Sequence, residues 1–159
     1  MNSITAKLTI NNKELILSSA PNRTLLDVLR EDLGLTGVKD ACGGEGECGA
    51  CTVIIDGKAV NSCLVLIGQV DGCRIETIEG LSEGNKLHPL QKSYIEAGAV
   101  QCGFCTPGAI LSSKALLDQT PDPTDDEIRE ALSGNLCRCT GYTKMIEAAR
   151  LASKEINHD

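Results

Sequence analysis

Cys42-Gly43-Gly44-Glu45-Gly46-Glu47-Cys48-Gly49-Ala50-Cys51 sets three thiols and four glycines in ten residues, and Cys63 follows after eleven more. Thiols that cluster in a polar loop are not core residues, which would be scattered along apolar faces. Four thiolates converging on one centre need a backbone that wraps tightly and turns its N–H groups toward sulfur. Glycine reaches the positive φ angles such wrapping requires, and Gly43, Gly44, Gly46 and Gly49 fit that demand.

The spacing is C-x5-C-x2-C, one residue longer than the C-x4-C-x2-C…C of plant-type [2Fe–2S] ferredoxins. Zinc is the rival ligand, but structural zinc sites usually pair two short C-x2-C knuckles. The run Gly44-Glu45-Gly46-Glu47-Cys48-Gly49 formally matches G-x-G-x-x-G. No βαβ unit surrounds it, and two carboxylates would repel a pyrophosphate.

Outward from this loop the first half reads as β with one early helix. Leu8 and Ile10 alternate with polar residues, as do Leu15 and Leu17, and Asn11-Asn12 suits a tight hairpin. Thr24 caps a helix with Asp27 three residues on, Leu25, Leu26, Leu29 and Leu33 on one face, and Gly34 as its stop. Asp56-Gly57 joins Thr52–Ile55 to Lys58–Val60 in a second hairpin. Arg74 to Ile78 reads as a last strand. Residues 80–86 are polar and glycine-rich and read as a linker.

The second half reads as helices only. Pro89 starts one that runs to Gly98. Pro107 starts another to about Asp118, and Thr124 with Glu127 boxes a third ending near Gly134. A fourth runs from Tyr142 to about Ile156, with Met145, Ile146, Ala149 and Ala152 on one face. Four more cysteines lie in Gln101-Cys102-Gly103-Phe104-Cys105-Thr106-Pro107-Gly108 and Asn135-Leu136-Cys137-Arg138-Cys139-Thr140-Gly141-Tyr142. Both pairs are expected at helix N-termini, where N–H groups and the helix dipole favour thiolate charge, with the two loops meeting at one end. Cys102-x2-Cys105 alone could be a thioredoxin-like pair, which would leave Cys137 and Cys139 idle. Four cysteines on two loops suit a second [2Fe–2S] cluster, while spacing alone leaves [4Fe–4S] open.

Composition agrees. The chain has 159 residues and nine cysteines, an odd count that fits poorly with paired disulfides. A net charge of -7 argues against a nucleic-acid binder and against docking on an anionic membrane. Met1–Lys7 lacks the pattern of a secretory signal, and Leu64–Ile67 is the longest apolar run, so a cytoplasmic protein without membrane insertion is expected. Cys73 reads as a bystander thiol. His88 and His158 lie far from the cysteine loops, which makes a Rieske-type His2Cys2 site implausible. No nucleophile–base pair is evident.

The Cys42–Cys63 set, followed by Gln101–Gly108 and Gly134–Tyr142, resembles the iron–sulfur subunit of the molybdenum hydroxylases. These are the xanthine dehydrogenase, aldehyde oxidoreductase and carbon monoxide dehydrogenase family. The resemblance runs from Leu8 to Arg150. It implies an α+β fold: a ferredoxin-like β-grasp domain (1–79), a linker (80–86) and an all-α four-helix domain (87–159), with one [2Fe–2S] cluster in each domain. Cys42, Cys48, Cys51 and Cys63 would hold the cluster nearer flavin. Cys102, Cys105, Cys137 and Cys139 would hold the one nearer molybdenum. Gln101 matches a glutamine that hydrogen-bonds the pterin, with Cys139 the closest ligand to it. The implied function is electron transfer from a large molybdopterin subunit to a medium FAD subunit, within an oxidoreductase whose substrate site lies elsewhere. The extra residue after Cys42 departs from the family pattern, and Gly43-Gly44 is expected to absorb it as a bulge.

Overall fold

A computed structural model describes residues 3–158. Strands β1 (Ile4–Ile10) and β2 (Lys13–Ser19) form the expected hairpin. Asn11 and Asn12 both take positive φ, 48° and 65°, as a two-residue turn that matches strand twist requires. The second hairpin joins β3 (Thr52–Ile55) to β4 (Lys58–Asn61) through Asp56 and Gly57 in the same geometry. β5 (Arg74–Glu76) lies parallel to β1 and antiparallel to β3, which closes a five-stranded mixed sheet in the order β2-β1-β5-β3-β4. β5 is shorter than the sequence suggests. Thr77 is extended, but Ile78–Gly80 turns into a 3-10 helix, and the Asn11 side chain bonds Thr77 at both Nδ2 and Oδ1.

The early helix also departs from expectation. Thr24 and Asp27 make the capping box, but only Leu25–Asp27 (α1) is α-helical. Val28–Asp32 continues as a π-turn, closed by Leu33 N–H to the Val28 carbonyl at 3.2 Å. Leu25, Val28 and Leu29 are fully buried, and Leu33 only packs at the margin of the same core. The face that seats the helix is therefore set in its first turns.

Four further helices follow: α2 (Pro89–Glu96), α3 (Thr106–Leu117), α4 (Asp125–Leu132) and α5 (Thr143–His158). They enclose a second core around Tyr94, Leu90, Leu111, Ile128 and Met145. Leu81, in the stretch read as a linker, is 7% exposed and belongs to this helical core.

β3 explains how the halves join. Val53 faces the first core, while its neighbour Ile54 packs into the helical core against α3. A strand buried on both faces reads as a continuous apolar run rather than an alternating one, and Thr52-Val53-Ile54-Ile55 has that form. Lys114 of α3 adds a bridge to Glu76 of β5 at 3.2 Å. Among the described residues no helix is long and apolar enough to cross a membrane.

Candidate metal centres

The first site grows from the loop between α1 and β3. Lys39 N–H bonds the Ala50 carbonyl at 3.1 Å and ties the loop ends together. Within it, Gly43, Gly44, Gly46 and Gly49 all have positive φ, from 66° to 86°, as the sequence leads one to expect. Asn61 Nδ2 holds the Gly46 carbonyl at 2.9 Å, and the Leu64 side chain packs over Gly46 and would have to move to admit a Cβ there. Cys63 arrives on a 3-10 turn, Ser62–Leu64, anchored by Ser62 Oγ to the Cys51 carbonyl at 2.8 Å.

The thiols fall into two contacting pairs, Cys42 with Cys48 and Cys51 with Cys63, and Cys42 and Cys63 also lie within electrostatic range. Backbone N–H groups of Glu47, Cys48 and Glu45 reach the Cys42 sulfur and bring its pKa down to about 7. Burial pushes the Cys63 thiol up to about 12, and Cys51 beside it adds to the rise.

The second site lies between the loop before α3 and the loop before α5. Cys105 is the N-cap residue of α3, and Cys102 precedes it. Cys137 and Cys139 lie four to six residues before the start of α5, not at its N-terminus as the sequence suggests. Tyr142 intervenes with φ 68° and accepts the Cys137 N–H on its hydroxyl at 2.9 Å. The Cys137 sulfur instead gathers local donors: Thr140 Oγ1 at 3.1 Å and the N–H groups of Cys139 and Thr140, each at 3.4 Å. Burial works to raise its pKa, but these donors outweigh it and bring the pKa below the usual thiol value. Cys139 Sγ lies 3.7 Å from Cys102 Sγ, and Cys105 contacts Cys137. Cys105 is pushed up to about 12 by burial, with Cys137 next in effect.

Both sets thus consist of two thiol pairs set side by side. Among the described residues no group of three or more Cys, His, Asp or Glu side chains closes around a single ion. Paired thiols suit a centre with two irons, each taking two sulfur ligands, better than a tetrahedral zinc site. Thr106 Oγ1, next in sequence to Cys105, is buried without a hydrogen-bond partner, an unsatisfied polar atom beside the second thiol set. The residues present therefore fit [2Fe–2S] centres.

The sites touch through backbone. Leu136 N–H bonds the Cys48 carbonyl at 2.9 Å, and the buried Asn135 Nδ2 bonds the Gly49 carbonyl at 3.0 Å and lies 3.3 Å from Thr52 Oγ1. A Cβ on Gly49 would strike the Gly134 carbonyl and Asn135, and one on Gly108 would strike the Gly49 carbonyl. Sequence reasoning placed Asn135 only within a cysteine motif and missed this bridging role.

Gln101 is exposed beside the exposed Cys102. Cys73 is apart from both sites and contacts Asp56. His88, expected only to lie far from the cysteine loops, caps α2: its Nδ1 accepts from Leu90 N–H at 3.2 Å. A histidine just before a proline at the first helical position was the available signal. The side chain of His158 lies outside the described residues.

Residues 8–80 match the model of the 2Fe-2S iron-sulfur cluster binding domain, and residues 77–150 match that of the [2Fe-2S] binding domain. The nicotinate dehydrogenase small FeS subunit of Eubacterium barkeri is 57% identical over 152 residues, 96% of each chain. The xanthine dehydrogenase iron-sulfur-binding subunit of Escherichia coli is 47% identical, over 91% of each chain. In the crystal structure of quinoline 2-oxidoreductase from Pseudomonas putida 86, the matching chain superposes with a TM-score of 0.93 at 45% identity. The match covers 98% of this chain and 97% of the other.

A ferredoxin-like β-grasp domain and a helical domain, each a [2Fe–2S]-binding unit, define an electron-transfer protein with two centres. The chain belongs to the family of iron–sulfur subunits of the molybdenum hydroxylases, the xanthine dehydrogenase family, and is part of an oxidoreductase.

Proposed function

We propose that this chain relays single electrons from a molybdopterin site on a large partner subunit to FAD on a medium partner subunit, in a cytoplasmic complex. Cys42, Cys48, Cys51 and Cys63, in a domain spanning residues 1–79, would hold the centre on the flavin side. Cys102, Cys105, Cys137 and Cys139, in a domain spanning 87–159 after a linker at 80–86, would hold the centre on the molybdenum side. A bound [2Fe–2S] group supplies one-electron redox chemistry at each site.

One observation carries the reading: the hydrogen bond from Leu136 N–H to the Cys48 carbonyl. It links a residue adjacent to ligand Cys137 with the backbone of ligand Cys48, so the two sites share a rigid covalent and hydrogen-bonded connection. Each site also keeps an edge at the surface. Cys102 and Cys139 are exposed and Cys42 is half-buried. Around the second site Val100, Phe104 and Leu136 are apolar and 38–55% exposed. Apolar side chains grouped about exposed ligands suit a face that a partner covers. Gln101 on that face would hydrogen-bond the pterin, with Cys139 the nearest ligand.

The test compares Gln101→Ala with wild type in the assembled complex, reduced rapidly by substrate and separately by dithionite. Nicotinate is the first substrate to try, because the Eubacterium barkeri relative is named for it. Iron content and dithionite reduction should be unchanged, while substrate-driven reduction slows or cofactor retention falls. A variant equal to wild type in all of these would remove the assigned orientation.

A further inference from the structure

We propose that Asp40 is a positioning residue for the first centre, absorbing the extra residue between Cys42 and Cys48 so that Cys42 stays in the ligand set. The inference rests on the ligand assignment above. The loop is anchored unevenly. From Gly46 onward it is held by Asn61, Leu64, Thr52, Asn135 and Leu136. In the preceding part, 41–45, the Glu45 N–H turns to the Cys42 sulfur and the Asp40 carboxylate holds the bulge itself. Its Oδ1 accepts from Gly43 N–H at 2.8 Å and from Gly44 N–H at 3.3 Å.

The slack of the longer loop sits there. Gly43 and Gly44 have consecutive positive φ values, 73° and 86°, and open space where a Cβ would stand. Gly49 lies against the Gly134 carbonyl and Asn135, and Gly46 lies under the Leu64 side chain. By drawing in the two N–H groups of the bulge, Asp40 turns the chain back on itself within one residue of Cys42. The N–H groups of Glu45, Glu47 and Cys48 are then left aimed at the Cys42 sulfur. A loop of four intervening residues has no such bulge to secure.

The experiment uses the iron-loaded full chain in its complex, reduced with dithionite, and reads the potential and EPR line shape of each centre. Asp40→Ala should broaden the first-centre signal and raise its potential. The lost negative charge favours the reduced form, while loss of aim of the Glu45, Glu47 and Cys48 N–H groups at the Cys42 sulfur opposes it. The charge sets the sign, and the positioning role is read from the line shape. A shift of up to tenfold in the one-electron equilibrium, 59 mV, is expected, with the second centre unmoved. Asp40→Asn loses the same charge but keeps an acceptor oxygen, and should keep the line shape with a rise at least as large. Deleting Gly44 restores the four-residue spacing, and in that background Asp40→Ala should leave the line shape normal. If Asp40→Ala loses iron from the first site while the double variant holds it, the proposal also stands. An Asp40→Ala protein with wild-type line shape and potential overturns it, and so does equal damage in both backgrounds. Failure of the electron relay itself would show in substrate-driven reduction of wild type, which this measurement does not use.

Discussion

Cys51 and Cys63 are 2% and 6% exposed, whereas Cys102 and Cys139 lie at the surface. The first site sets one loop of three thiols and the nearby Cys63 turn into the side of a sheet, with Cys51 and Cys63 packed in the core that holds Val53, Ile67 and the α1 leucines. The second is a junction of two segments more than thirty residues apart in sequence, brought together only when α3, α4 and α5 pack. A loop and a neighbouring turn of one domain can wrap a centre from inside it. Two short loops at the end of a helix bundle cup theirs and leave the outer pair at the surface. The difference also separates how each site controls thiol charge. The first uses glycine-freed N–H groups of its own loop on Cys42, and the second uses the Thr140 hydroxyl and two N–H groups on Cys137.

The largest effects should come from removing ligands, because metal binding is coupled to folding in small domains. Cys48→Ser should abolish or disturb the first centre and spare the second. Cys105→Ser should do the reverse, and each should lower the melting temperature. Cys73→Ser should keep both centres, with four irons and four acid-labile sulfides per chain. Loss of a centre in Cys73→Ser would break the comparison by showing a different ligand set in the longer loop.

Next in size are two glycines of the same loop. Gly43→Ala meets only the cost of a left-handed backbone, about 1–2 kcal/mol, since nothing lies within 4 Å of its Cβ. Gly49→Ala has that cost plus a collision with the Gly134 backbone of the other half, for about 3 kcal/mol or more in all. Urea melts of the holo-chain would show the gap. EPR spin coupling between the reduced centres should fall only in Gly49→Ala. Equal losses would mean that the sites are not held through this contact.

Asn135→Ala should be milder. The Gly49 carbonyl keeps Thr52 Oγ1 at 2.7 Å and Thr52 N–H at 3.2 Å, so no buried acceptor is orphaned, and about 1 kcal/mol is expected. The bond from Leu136 to Cys48 would be left without its neighbouring brace. Electron equilibration between the centres after a fast reducing pulse should slow, with each centre's own spectrum unchanged. An unchanged rate would reduce Asn135 to packing.

What could be read in advance follows the same inside–outside division. Hairpins at Asn11-Asn12 and Asp56-Gly57, and capping boxes at Thr24 and Thr124, depend on a few adjacent residues, and all formed as expected. The glycine loop is legible for the same reason. Features that depend on the two halves meeting were not. The two-sided burial of β3 and the Asn135 bridge depend on residues more than fifty positions apart. The seating of α1 against the Cys63 segment, where Leu25 N–H bonds the Val65 carbonyl, is likewise long-range. The placing of Cys137 and Cys139 before α5 turned on Tyr142, whose positive φ no local propensity announces.

The smallest expected effect asks whether the halves unfold separately. His88 caps a helix of the helical half, where its Nδ1 must be unprotonated to accept Leu90 N–H. Burial lowers its pKa from the ordinary 6.5, Lys114 lowers it further, and Asp118 and Glu76 oppose them. The folded chain therefore holds this proton less tightly than the unfolded chain does. As pH falls below about 6.5 the unfolded state gains a proton that the folded state resists, so stability declines until the folded value is passed and is flat below it. The total should not exceed that of one helix cap, about 1 kcal/mol. His88→Asn keeps a side-chain acceptor and removes the titration, so its urea midpoint should lose this slope between pH 7.5 and 5.5. Followed by the visible bands of the two centres, the wild-type decline should appear in the second centre's transition. If both centres bleach together with the same slope, the contact through Asn135 and Leu136 makes the halves one cooperative unit. If His88→Asn keeps the wild-type slope, the cap is not its source.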